Sequence, residues 1–388
     1  MAFTLKPAKG DEFVNRDELL TEMLSELADS NSTVGYALYG KRRIGKTSIL
    51  KEVQRRLELE EGCVAVYFSV WDLIDNSVEE FCRNLSLEII DAYRPGLGLG
   101  YRARELVQMP LSLLGKVLGE TELRVIYSEF EFLISRKKPS DTGVLLEHCF
   151  GLAEKLAKST GTKCVLLIDE FPSVIDLKVE NRKIGEGILK KIRTIFEDWG
   201  KTTLCISGSV RSTMELTVLS ASSPFYRQLV VKEVKPLGRE HVRVLLRQNL
   251  KIPEKSVEEI YNFSAGIPFY VNFIGKMLER KGKKDPESVR AIEQEFLGEE
   301  GNLLFREEFN SLSPKEKAIV IEISRGRHSP GEIASSIGDK VSNINTFLNY
   351  LIDKGHIFRK EKGFYSLEDP VFERWIRETQ VSEQGNFD

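Results

Sequence analysis

Eight residues, Gly40-Lys-Arg-Arg-Ile-Gly-Lys46-Thr47, constrain this chain more than any other stretch. They match GxxxxGK[ST] in full. They follow an apolar run, Val34–Tyr39, that reads as a strand, and they open a helical pattern with Ile49, Leu50, Val53 and Leu57 on one face. A glycine-rich turn between a strand and a helix curls backbone N–H groups around an anion and adds the positive end of the helix dipole. The expected ligand is therefore a polyphosphate, cradled by Gly40, Arg42, Arg43, Ile44, Gly45, Lys46, Thr47 and Ser48. Lys46 is expected on the β- and γ-phosphates and the Thr47 hydroxyl on Mg²⁺. A chance glycine turn is the competing reading, and the strand-to-helix setting argues against it.

A second run, Cys164-Val-Leu-Leu-Ile-Asp169-Glu170, delivers two acids to the end of an apolar strand. Ligands of α/β sheets bind at carboxyl ends of strands. Asp169 is expected to hold Mg²⁺, through water, and Glu170 to polarise the water that attacks a γ-phosphate. Two acids after a strand can also be a plain helix cap; beside a complete phosphate loop the ATP/ADP reading is the stronger. Ser209, in Ser207-Gly-Ser209, could sense the γ-phosphate or sit in a simple turn. Arg227 could stabilise transition-state charge or be a surface arginine.

The remaining chain sorts into three regions. Cys63–Ser69, Thr203–Ser207 and Leu229–Glu233 join the two runs above as strands between helical patterns. Continuous Val/Ile/Leu runs of that kind imply an α/β fold with a parallel sheet covered on both faces. Residues 1–235 are expected to form a P-loop NTPase core, with a helical insertion over about 91–139. Residues 236–308 are expected to be a helical lid, with helices over Arg239–Leu250, Glu254–Phe263 and Phe269–Arg280 and a polar break at Lys281–Pro286. Residues 309–380 read as a winged helix-turn-helix domain. Ser313-Pro-Lys-Glu316 and Ser329-Pro-Gly-Glu332 are capping boxes. A third helix carries Ile344, Phe347, Leu348, Leu351 and Ile352, and a hairpin follows over His356–Lys360 and Phe364–Leu367. Residues 381–388 are a tail.

The formal net charge is -3, so no global basic field points to nucleic acid or acidic lipid. No stretch is apolar for long enough to span a bilayer, and the first residues lack a signal-peptide layout. The five cysteines form no CxxC pair and read as small buried hydrophobes of a reducing cytoplasm.

These motifs together resemble the archaeal AAA-type ATPases of the STAND class. Phe13-Val-Asn-Arg16-Asp-Glu-Leu19 is similar to their N-terminal box, with Asn15 where glycine is usual. The double-Arg phosphate loop and Leu167-Ile-Asp-Glu-Phe171 fit the same pattern. Ser264-Ala-Gly266-Ile-Pro268-Phe-Tyr270 resembles the G-x-P motif that sets a lid helix against the nucleotide, which implies Gly266 and Pro268 as binding residues. Tyr365-Ser-Leu-Glu-Asp369-Pro370 with Trp375 resembles the closing signature. Where the family often reads S-P-L-Y-G-R, this chain reads Ser223-Pro-Phe-Tyr-Arg-Gln, so Arg227 is displaced by one position.

The leading functional reading is a slow ATPase that acts as a switch. A DNA-binding regulator using ATP as a ligand and a protein-interaction or self-associating scaffold are the alternatives. Across residues 313–380 there are 11 Lys/Arg and 10 Asp/Glu, a nearly neutral balance for a module that would contact double-stranded DNA. Lys340, Asn343, Asn345 and Asn349 on the third helix and Arg359, Lys360 and Lys362 on the hairpin are the residues such a contact would use.

Overall fold

The structure is a computed structural model and describes residues 3–10, 13–95, 142–209 and 211–380. The expected helical insertion, with its apolar patches around Leu111–Leu118 and Val125–Ile134, lies outside the described residues except for its first few positions; so does the tail.

Five strands, β1 (Gly35–Tyr39), β2 (Cys63–Ser69), β3 (Lys163–Asp169), β4 (Thr202–Gly208) and β5 (Leu229–Glu233), form one sheet. The order is β2-β3-β4-β1-β5 and every neighbouring pair is parallel. The strands fall within one residue of their expected limits. Parallel strands need crossovers, which put helices on both faces. On β3, Val165 and Leu167 face a core shared with α1 (Asp17–Leu27) and α2 (Lys46–Leu57). Cys164, Leu166 and Ile168 face a second core with α3 (Val78–Tyr93), α4 (Thr142–Thr160) and α5 (Gly187–Glu197). All five cysteines are free, and all but the half-buried Cys63 are buried.

After β5 come α6 (Arg239–Asn249), α7 (Glu254–Ser264) and α8 (Pro268–Lys281), close to the expected limits. Two further helices follow, α9 (Pro286–Gly298) and α10 (Glu300–Asn310). They are not among the expected helices; the polar break expected at Lys281–Pro286 is the short connection between α8 and α9, closed by Asp285, an N-cap whose side chain accepts from Ser288 N–H, with Pro286 in the first helical turn. The C-terminal part has α11 (Pro314–Ser324), α12 (Pro330–Ile337), α13 (Val341–Asp353), an antiparallel hairpin β6 (Ile357–Glu361) and β7 (Phe364–Leu367), and α14 (Pro370–Trp375). Both capping boxes are formed. One apolar core runs unbroken from the α2 face of the sheet through α8 to α14.

Residues 3–10 are tied to α2. Ala8 N–H donates to Ser48 Oγ at 3.1 Å and Gly10 N–H to Glu52 Oε2 at 2.8 Å. Glu52 is fully buried and also accepts from Arg55 and Arg56. Burial alone would raise its pKa, but those donors outweigh it and bring it down to about 2. A carboxylate depressed in the fold stabilises it above the unfolded value near 4.5 and loses that contribution as pH falls towards 2. The Glu52→Gln variant should be less stable at pH 7 by roughly 2–3 kcal/mol and should lose this part of the acid dependence, as read by denaturant melts between pH 2 and 7.

Candidate nucleotide-binding site

The phosphate loop spans the gap between β1 and α2. Gly45 caps α2 in the left-handed region, φ 96°, where a side chain would be strained. Lys46 opens the helix and is buried; its Nζ donates to the loop carbonyls of Gly40 at 2.9 Å and Lys41 at 3.0 Å. Burial lowers its pKa, and Glu170 and Asp169 push back.

The sheet order brings the acids to this loop. β4 lies between β3 and β1, so Ser207 and Ser209 at its end reach the acids as well. Asp169, at the end of β3, accepts from Thr47 Oγ1 at 2.6 Å and Tyr67 OH at 3.0 Å on one oxygen, and from Ser207 Oγ on the other. Glu170 sits next to it with φ 51°, and that turn aims its side chain elsewhere. Its Oε2 accepts from Ser209 N–H at 3.1 Å and Ser209 Oγ at 3.0 Å. Burial raises the Glu170 pKa, with Lys46 the first group opposing it. Adjacent carboxylates thus hold separate partners.

A cavity of about 500 Å³ opens over the loop, in the size range of small-molecule sites. Arg42, Arg43, Ile44, Gly45, Lys46, Thr47, Ser48, Glu170 and Ser209 line it. Pro268 lines it too, at the start of α8, with Phe269 and Asn272 beside it. Gly266 serves backbone packing: its carbonyl accepts from Leu237 N–H at 2.8 Å, and a Cβ there would lie 2.1 Å from the Leu237 oxygen. The Ser48 hydroxyl is engaged by Ala8, and Gly40 supplies a carbonyl to Lys46. Arg227 is not brought to the site. It is exposed, stacks over its neighbour Tyr226 and is absent from the cavity wall.

Three contributors escaped the sequence reading. Tyr67 looks like an ordinary strand aromatic. Trp71 lines the cavity and donates to Ser173 Oγ at 3.2 Å. Arg16 lines it as well, its guanidinium on the Lys235 carbonyl; its place in the N-terminal box was the one available signal.

Residues 13–274 match the family described as an ATPase domain predominantly from Archaea. The chain is 31% identical to the uncharacterized protein MJECL04 of Methanocaldococcus jannaschii, over 97% of this chain and 72% of that one. It belongs to this archaeal ATPase family. Its fold is similar to the Walker-type ATPase PABY2304 of Pyrococcus abyssi, with TM-score 0.70 at 19% identity, covering 97% of this chain and all of the other. It is also similar to the ORC2 protein of Aeropyrum pernix, solved in ADPNP–ADP complexes, with TM-score 0.53 at 13% identity and 97% of each chain covered. Family and fold together support ATP binding and hydrolysis.

Replacing Lys46 with Ala removes the side-chain amine buried at the loop. ATP affinity measured by isothermal titration should fall at least tenfold, or about 1.4 kcal/mol. An unchanged affinity would mean that the cavity is not the phosphate site.

Proposed function

We propose that this protein is a magnesium-dependent ATPase that works as a nucleotide-controlled switch. The observation that carries the hydrolytic part is the separation of the two acids: Asp169 faces the Thr47 hydroxyl, while Glu170 faces Ser209 and the cavity. One hydroxyl and one carboxylate 2.6 Å apart suit Mg²⁺, which keeps several waters and takes further oxygens from phosphate. When bound, the ion would neutralise charge on the phosphates. Glu170 then accepts a proton from the water that adds to the γ-phosphorus as the bond to the ADP oxygen breaks. Burial, by raising the Glu170 pKa, makes it a stronger base than an exposed glutamate. Lys46 leaves the loop carbonyls for the phosphates, and Ser209 holds Glu170 in place. Arg227 has no part in this site; a charge-stabilising role for it would require contact from outside the cavity.

The switch part rests on the outward side of the same loop. Arg43 Nη1 lies 3.0 Å from Asp369 Oδ2 and 3.3 Å from Tyr270 OH, and Nη2 lies 3.6 Å from Glu308. Tyr270 also donates to Asp369. Lys41 Nζ donates to the Glu368 carbonyl at 2.8 Å. We read residues 1–235 as core, 236–308 as lid and 309–380 as a winged helix, in the manner of the STAND class. On that reading the loop that meets phosphate also grips both other parts. Nucleotide then shifts their positions through Arg43, and through Gly266 and Pro268 at the start of α8.

Glu170→Gln should bind Mg-ATP with near-parental affinity and turn it over at least a hundredfold more slowly. Asp369→Asn should keep hydrolysis but uncouple the hairpin. Amide exchange across 357–367 should respond to ATP in the parent and not in the variant. Parental turnover by Glu170→Gln removes the base assignment. A nucleotide response that survives Asp369→Asn removes the coupling.

A second reading, double-stranded DNA binding, is favoured by one surface. Lys340 at the N-cap of α13, Asn345 and Asn349 on that helix, and Arg359, Lys360 and Lys362 on the hairpin are all exposed. Asn343 is less available, since its amide donates to Asp339 Oδ2 at 2.8 Å. With three or four phosphates neutralised, the log–log salt slope should be about -3 to -4. Replacing the three hairpin cations with Ala should flatten it by about one unit for each phosphate that no longer meets a cation. Anisotropy with a labelled duplex at low salt, with and without Mg-ATP, tests this. No binding in either state would favour a protein-interaction or self-association role for this part.

A further inference from the structure

The three hydroxyls on Asp169 do not share its two oxygens evenly. Oδ2 accepts from Thr47 Oγ1 at 2.6 Å and from Tyr67 OH at 3.0 Å, while Oδ1 accepts from Ser207 Oγ. An ionised carboxylate only accepts, and it has about four acceptor directions, two on each oxygen. Thr47 and Tyr67 therefore fill Oδ2, and among the described residues one direction stays open on Oδ1. The role of Ser207 is fixed from its other side: its Oγ accepts from the Glu170 N–H at 3.3 Å, which leaves its hydroxyl proton for Asp169. Tyr67 is steadied by a second contact. Lys51 Nζ lies over its ring, 4.8 Å from the centroid, and Lys51 follows Thr47 by one turn of α2. The helix that brings Thr47 to one lone pair of Oδ2 thus also holds the ring that fills the other. Tyr67 does not line the cavity, so it acts on a ligand only through Asp169.

We propose that Tyr67 is a positioning residue that sets the metal preference of this site: by filling Oδ2 beside Thr47 it leaves Asp169 to hold a cation through a water on Oδ1, which favours Mg²⁺ over Ca²⁺. The inference rests on the reading of Thr47 and Asp169 as the magnesium site. Thr47, with its proton on Asp169, keeps its oxygen lone pairs for the cation, and that oxygen lies beside Oδ2, the filled side of the carboxylate. Mg²⁺ gives up its waters reluctantly, so an acid that acts through water suits it. Ca²⁺ takes more oxygens and uses carboxylates directly, with one oxygen or both. Loss of the Tyr67 hydroxyl reopens Oδ2 and lets Asp169 bind the cation directly. A partner that orients a metal-holding side chain changes metal affinity by about 10–100-fold.

The test uses Tyr67→Phe in the full-length protein, which keeps the ring under Lys51 and removes only the hydroxyl. ADP affinity is measured by isothermal titration with Mg²⁺, with Ca²⁺ and with EDTA. In the parent, Mg²⁺ should strengthen ADP binding more than Ca²⁺ does. In Tyr67→Phe the ratio of the two enhancements should fall about tenfold or more. ADP affinity in EDTA should stay at the parental value, which also shows that the variant is folded. A spectroscopic measurement reads the coordination itself, in the parent as well as in the variant. Mn²⁺ serves as the paramagnetic probe of the ADP complex, with aspartate isotopically labelled at the side-chain carboxyl. Electron–nuclear double resonance should show no carboxylate bonded to the metal in the parent and one in Tyr67→Phe. A purely structural Tyr67 would weaken ADP binding alike with either cation and in EDTA. That outcome, a parental Mg²⁺/Ca²⁺ ratio in Tyr67→Phe, or a metal-bound carboxylate in the parent overturns the inference and spares the site. No effect of any cation on ADP affinity in the parent overturns the magnesium site itself, and the inference with it.

Discussion

Hydroxyl donors from three separate elements converge on the carboxylate of Asp169, and the rest of the site is arranged around that convergence. Ser69 pairs with Asp169 in register, so Tyr67, two residues earlier, lies on the same sheet face. Ile168 pairs with Ile206, which brings Ser207 level with Asp169 from the other side. Thr47 reaches in from the first turn of α2. A buried charge must be satisfied, and here the satisfaction is spread over β2, β4 and α2. A slip of one residue in β2 or β4 would turn a donor to the opposite face. The acid therefore reports on the register of the sheet as well as serving the site. Glu170, one residue on, escapes this demand by taking a left-handed backbone and a different partner.

The same economy holds for the phosphate loop. Its cations point to two sides. Lys46 is folded inward onto loop carbonyls, while Lys41 and Arg43 reach outward to Glu368, Asp369, Tyr270 and Glu308. Burial works against Arg43, yet Tyr270, Asp369 and Glu308 together hold its pKa above the ordinary value. Burial raises the pKa of Asp369 as well, despite the opposing charge of Arg43, and so works against its ionised form. The ion pair exists because several polar groups share it, and each of them comes from a helix or helix cap of the downstream chain.

How legible all this is in the sequence depends on how local the signal is. The phosphate loop, the five strands and both capping boxes are written in contiguous residues and are readable as such. So is the pairing of Asp169 with Thr47, because a known chemistry links their motifs. Helices α9 and α10 are hidden because Lys281–Asp285 is densely polar, and the cap formed by Asp285 and Pro286 is indistinguishable from a loop unless the apolar spacing beyond it (Val289, Ile292, Phe296) is followed. Tyr67 is hidden for the opposite reason: an aromatic in an apolar strand reads as core, and its hydroxyl partner lies 102 residues away. The Arg43–Asp369 contact spans 326 residues and has no local trace at all. Arg227 illustrates the reverse error of proximity in motif. It sits in a segment that resembles a functional signature, but its side chain lies on the ring of Tyr226.

Energetic scale decides whether a contact such as Arg43–Asp369 can belong to a switch. Removing one partner of a buried ion pair costs about 3–5 kcal/mol, mostly through the charge left behind. Micromolar binding of a nucleotide supplies about 8 kcal/mol, so the total is sufficient. Total affinity is not the relevant quantity, however, because a ligand moves an equilibrium only by the difference in its affinity for the two states. That difference must arise where ligand and contact share atoms or a rigid element. Here they share the phosphate loop itself, with Arg43 lining the cavity and bonded to Asp369 at the same time. Arg43 also holds a left-handed backbone, φ 63°, two residues before Gly45 at φ 96°. A loop already in sparsely populated conformations, with cations on both sides, has few ways to adjust to phosphate that leave the Arg43 guanidinium where it is. In the proposed switch the differential term would arise in the loop, and the helices that carry Tyr270, Glu308 and the Asp369 cap would be the elements on which it acts.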